Sequence, residues 1–199
     1  METITVPITS AKTVGDSLGP NYWAAVFLAE IPDLGSYEVV DAIFYVYCYQ
    51  LDTASLAPPY VITPVFVGPN ATWNESTTDL SGTPMQSSSV GDPVIVDAVG
   101  WWEWNIYGDS SVGLKKILDD TGNNPGPITI SFKQNYFHPW IAHENPKITS
   151  SFNPLMATVA HFSDTDDPDF APYLEIIVSS TGDDPDKRKS YSSTAAAGG

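Results

Sequence analysis

Positive charge is what this 199-residue chain has least of. Its 8 lysines and arginines stand against 24 aspartates and glutamates, a formal net charge of −16. Arg188 is the only arginine. Nucleic-acid affinity comes largely from Lys and Arg displacing counterions from phosphates, so nucleic acid and anionic membrane surfaces are poor partners. Divalent cations, neutral glycans and basic protein surfaces remain open. Cysteine is almost missing too. Cys48 stands alone, which excludes an intrachain disulfide, and within "AIFYVYCYQL" it reads as a buried small hydrophobe rather than a reactive thiol.

Long apolar runs are absent as well. No stretch approaches the ~18 uninterrupted apolar residues of a membrane-spanning helix, so membrane insertion is not expected. The opening "METITVPITSAKT" has neither a basic n-region nor an apolar h-region, so no signal peptide is expected there. That leaves a chain beginning at Met1 inside the cell, or one whose leader has been replaced. Seventeen prolines and fourteen glycines argue against long helices.

What the chain does have is strand signal. "ITVPITS" alternates, with Ile4, Val6 and Ile8 on one face and threonines on the other. "NYWAAVFLAEI", "VVDAIFYVYCYQL", "YVITPVFVG", "DPVIVDAVGWWEWNI", "GPITISFKQN" and "PYLEIIVSS" are β-branched and aromatic, bounded by Gly, Pro, Asn and Asp loops. One short helix is expected in "DSSVGLKKILDDTG", with a Ser/Asp cap, apolar Val112, Leu114, Ile117 and Leu118, and Gly122 as its stop. This pattern predicts an all-β, jelly-roll-type β-sandwich with one short helix. The length fits one domain. Residues 1–180 would form it, and residues 181–199, "TGDDPDKRKSYSSTAAAGG", would form a low-complexity C-terminal tail.

Several phrases resemble a known family in their order. "AEIPDLGSYEVVDAIFYVYCYQL" resembles a strand–Ile-Pro–loop–strand unit, and "ATWNEST…GTPM" a Thr-Trp-Asn…Pro loop. "WEWNIYGDSSVGLKKIL" is similar to a Trp-bearing strand followed by a short helix, and "ATVAHFSDTDDPDFAPYLEIIV" to a closing element that leads into the last strand. Together, over about residues 2–180, they resemble the DNRLRE domain family, which is related to carbohydrate-binding-module β-sandwiches. The resemblance implies a non-catalytic surface module, binding polysaccharide in some members and building surface or particle proteins in others. One departure is plain: the arginine-bearing strand that names the family corresponds here to "AAVFLAEIP", which has no arginine.

The candidate site residues fall in three segments. In "VGWWEWNIYG", alternation from Val94 puts Val96, Trp102, Trp104 and Ile106 on an apolar face. Asp97, Trp101, Glu103, Asn105 and Tyr107 fall on the other. Trp101, Glu103 and Tyr107 are therefore candidates to bind a glycan or a protein partner, since an exposed ring beside polar groups suits either. "FKQNYFHPWIAHENP" adds Tyr136, Phe137 and Trp140 in a Pro-containing loop, where function is often carried. His138, His143 and Glu144 lack HExxH spacing, so zinc is not expected. "SDTDDPDFAP" offers Asp164, Asp166, Asp167 and Asp169 as ligands of a structural Ca²⁺, against the simpler reading of a solvated acidic turn.

No GxSxG, Cys–His pair or phosphate-binding Gly-rich loop is present, so no enzyme activity is expected. The sequons at Asn70 and Asn74 matter only in a eukaryotic secretory pathway. The function expected is a surface structural or attachment module. A virion capsid or tail decoration-type protein is the first instance, touching neighbouring subunits through its aromatics and its C-terminal tail. A polysaccharide-binding module of a surface or secreted protein is the alternative. The location implied is a virion or an extracellular surface.

Overall fold

A computed structural model describes residues 1–15, 23–51, 61–67, 94–108, 113–133, 140–141 and 160–180. Alternating apolar positions become strands almost wherever they occur. β1 (Glu2–Gly15), β2 (Trp23–Ile31), β3 (Tyr37–Leu51), β4 (Val61–Val67) and β7 (Gly126–Lys133) each follow one expected run. β10 (Tyr173–Ser180) does the same, burying Leu174, Ile176 and Val178 and turning Tyr173, Glu175 and Ile177 outward. In β1 the alternation is reset by a register shift between Ile8 and Ser10, so Val6, Ile8 and Ala11 are the buried residues. The run "DPVIVDAVGWWEWNI" is not one strand. It breaks at residues 96–99 into β5 (Val94–Ile95) and β6 (Gly100–Asn105). Two short strands complete the set, β8 (Trp140–Ile141) and β9 (Ala160–Phe162).

Pairing runs in the order β5-β4-β7-β2-β1-β10-β3-β9-β8, with β6 on the other edge of β3. Every pair is antiparallel except β8–β9. β1 belongs to both ends of the molecule. Its first half pairs with β10 and its second half with β2. The sheet therefore curls so that its two halves face each other across the core. Phe44 on β3 meets Phe27 on β2 at 5.1 Å, and Trp104 on β6 meets Phe132 on β7 at 4.6 Å, between strands that are not neighbours in the sheet. Phe27, Phe44, Phe132, Phe162 and Trp104 are all fully buried there, around Ile130, Leu174 and Ile176. Burying each such ring contributes about 2–3 kcal/mol. Cys48 is buried among them. The all-β fold with one short helix is thus the fold of this chain.

The helix α1 (Leu114–Thr121) differs from expectation in its start. Its N-cap is Gly113 rather than a serine or aspartate, with φ 89° and no side-chain cap. A Cβ there would collide with the Tyr107 carbonyl, so close approach of the preceding turn decides the residue. Leu114 and Leu118 bury the apolar face, while Lys115–Asp119 and Lys116–Asp120 pairs lie on the exposed one. Gly122 ends the helix in the left-handed conformation, as expected. The residues ahead of Gly113 in the expected helix, Asp109 to Val112, lie outside the described ones, as do residues 181–199. No helix among the described residues is long and apolar enough to cross a membrane.

Candidate functional site: an aromatic face bordered by carboxylates

On β3, Phe44, Val46 and Cys48 point into the core, so Tyr45, Tyr47 and Tyr49 point out. Cross-strand register then gathers more rings beside them. Tyr47 pairs with Trp101 on β6, and Tyr45 lies between Glu103 on β6 and Tyr173 on β10. Tyr45 and Tyr173 stack at 4.8 Å, their planes 16° apart. Trp101 meets Tyr47 at 5.6 Å and Tyr173 at 5.7 Å, edge to face in both contacts.

The acidic segment closes this cluster. β9 and β10 run in the same direction along one edge of β3, with Phe162 opposite Cys48 and Tyr173 opposite Tyr45. Only Val46 and Tyr47 separate those two positions on β3, whereas residues 163–172 intervene on the other side. They form an excursion from an otherwise collinear path, leaving where the Ser163 N–H donates to the Tyr47 carbonyl. Phe170 is thereby laid on Tyr47 at 4.2 Å, and it meets Tyr49 edge-on at 5.7 Å. The Tyr49 hydroxyl donates to Asp167 Oδ2 at 2.6 Å. Six rings thus form one continuous cluster on the outside of the sheet. Trp101 is 43% exposed and Tyr49 42%, so the cluster has open edges.

Its electrostatics follow from the carboxylates among the rings. Burial, then the charges of Glu175 and Glu103 and a hydrogen bond to Glu175, push the Tyr45 hydroxyl up from 10.0 to about 12. Burial and the same two glutamates raise Tyr173, and the bond to Asp167 raises Tyr49. The phenols stay neutral and can donate, while the carboxylates accept. The lysine side chains described, Lys115 and Lys116, are both engaged on the helix. The face is therefore negative, with rings that can stack and oxygens that can take hydrogen bonds.

The structure treats the expected site residues differently. Trp101 and Glu103 lie exposed on this face. Tyr107 does not join them. The strand ends at Asn105, whose Oδ1 receives the Tyr107 N–H at 3.0 Å, and the chain then turns. Tyr107 packs against the core, and its hydroxyl donates to the Val39 carbonyl at 2.7 Å. Trp104 is buried as expected, while Trp102 is half-buried against the core with its Nε1 donating to the Ala98 carbonyl. Trp140 lies in β8, opposite His161. Tyr136, Phe137, His138, His143, Glu144, Asn70 and Asn74 lie outside the described residues.

Asp164, Asp166, Asp167 and Asp169 all lie in the excursion, two of them engaged with its backbone. Asp164 Oδ1 receives the Asp166 N–H at 2.7 Å and Asp167 Oδ1 the Asp169 N–H at 3.1 Å, so these carboxylates hold the turn. Among the described residues no three His, Cys, Asp or Glu side chains form a metal-binding group.

Tyr45, Tyr47, Tyr49, Phe170 and Tyr173 were not among the residues that sequence patterning marked. The signal for the first three was present, since "FYVYCYQ" places tyrosine at every second position. Phe170 and Tyr173 join them only through register and the excursion. Fold and site together define an all-β domain carrying an exposed aromatic and acidic face. Neither the models of known protein families nor the curated proteins include a match to the chain.

Proposed function

We propose that this chain is a non-enzymatic attachment module that binds a protein partner through the aromatic face, as one subunit of a larger surface assembly. The observation that carries the reading is the outer cluster of Trp101, Tyr45, Tyr47, Tyr49, Phe170 and Tyr173, held in place from β3, β6, β10 and the excursion. Tyr and Trp are the residues most enriched at binding hot spots, and rings fixed beforehand lose little freedom on binding. A glycan is the second candidate partner. A pyranose lies flat on an open ring face, which the exposed Trp101 alone would have to supply among the stacked rings, since Tyr45 and Tyr173 cover one another and Phe170 covers Tyr47. The jelly-roll type of the sandwich, argued from the pattern of strands and turns, the DNRLRE kinship, argued from the resemblance, and a virion setting belong to the same proposal.

The test is native mass analysis of the chain from its source, beside a Trp101→Ala variant. The wild type should travel in a complex larger than one chain, and the variant should be released from it with an unchanged circular dichroism spectrum. A wild type of single-chain mass, or a variant that stays in the complex, overturns the reading. A lone chain that is retained on a polysaccharide column through Trp101 replaces it with the glycan one.

A further inference from the structure

We infer that the partner surface seated on this face presents arginine. The inference rests on the docking reading above and deepens it. Two properties of the face coincide. Its rings are bordered by carboxylates: Glu103 lies directly across from Tyr45, Glu175 lies two residues along β10 from Tyr173, and Asp167 accepts the Tyr49 hydroxyl. No lysine or arginine is among the side chains described on this face.

Guanidinium meets both demands at once. It is planar, so it stacks on an aromatic ring, and its N–H groups fork onto a carboxylate from the same position. Lysine offers a compact, strongly hydrated charge without the planar fork. Trp101 and Glu103 stand two residues apart on the outer side of β6, which supplies a ring and a carboxylate on one strand, the ring meeting Tyr47 and Tyr173 only edge to face. The negative field of the whole chain would draw such a partner in, and the ring–carboxylate pairing would then select arginine over other cations.

Labelled Gly-Arg-Gly-Arg-Gly peptide, its lysine counterpart and its neutral citrulline counterpart are the probes, read by fluorescence anisotropy against the full chain. The arginine peptide should bind tightest and citrulline weakest. Trp101→Ala and Glu103→Gln should each weaken the arginine peptide about fivefold or more, the scale of a lost cation–π or ion-pair contact. Glu30→Gln, an exposed change on β2, should leave it unaltered. Absence of binding overturns the inference. So does equal binding of arginine and lysine peptides, equal weakening by Glu103→Gln and Glu30→Gln, or indifference to Trp101→Ala, because bulk charge would then account for the result. A native complex that needs Trp101 but is untouched by the arginine peptide leaves the docking reading standing and removes this one. A chain that is alone in its source yet binds the peptide through Trp101 does the reverse.

Discussion

Trp104 and Trp101 belong to one six-residue strand and face opposite media. Trp104 is 1% exposed and touches Phe132 and Phe162. Truncating it to alanine should cost about 3–5 kcal/mol, as large-to-small changes of buried aromatics do. Trp101→Ala removes only edge contacts to Tyr47 and Tyr173 and should cost about 1 kcal/mol. Urea unfolding of the two variants checks the difference; equal losses would place Trp101 in the core. This contrast was legible in the sequence, because period-two alternation needs only one strand to be read. Tyr107 was misjudged for the converse reason. Alternation holds only as far as the strand does, and the hydrogen bond from its own N–H to Asn105 marks the end of it.

At the scale of elements, the short helix depends on what lies just beyond it. Asn123 has φ 67°, a conformation few side chains tolerate, and its N–H donates to the Leu118 carbonyl. Its Nδ2 donates to the Gly35 and Tyr37 carbonyls, and its carbonyl receives the Leu34 N–H. One residue clasps the end of α1 to the turn between β2 and β3. Asn123→Ala should lose the clasp and strain the backbone, costing about 2 kcal/mol, while Asn123→Gly, which keeps the conformation, should cost about 1 kcal/mol. Thermal unfolding of the pair tests this, and equal effects would mean that the backbone conformation is of no consequence. The helix itself was legible from its apolar spacing and Gly122. The clasp was not, since it joins segments far apart in sequence. The excursion between β9 and β10 escaped for the same reason: "SDTDDPDFAP" announces a turn, but only the register of both flanking strands against β3 shows what the turn covers.

For the whole molecule the governing quantity is charge. With a net of −16, every further negative charge is added against repulsion. The phenols of Tyr45, Tyr49, Tyr107 and Tyr173 are all raised above 10.0, Tyr45 to about 12. Below pH 10 the protonated arrangement is fully present. As pH climbs through 10 towards about 12, the unfolded chain releases protons that the folded chain still holds, so stability falls. The urea midpoint should therefore drop from about pH 9 to about pH 11, and Tyr45→Phe should remove a phenol that ionises at about pH 12 from an absorbance titration. An unchanged midpoint would show that these groups sense no difference between the two states.

Glu2 of β1 lies opposite Val178 of β10, so the first and last strands leave the sheet side by side. Tyr173, at the other end of β10, belongs to the aromatic face, about 20 Å away at ~3.3 Å per residue. The described ends of the first and last strands thus lie at one end of β10 and the aromatic face at the other. A reporter fused ahead of Glu2 would therefore start from the end of the sheet remote from Trp101.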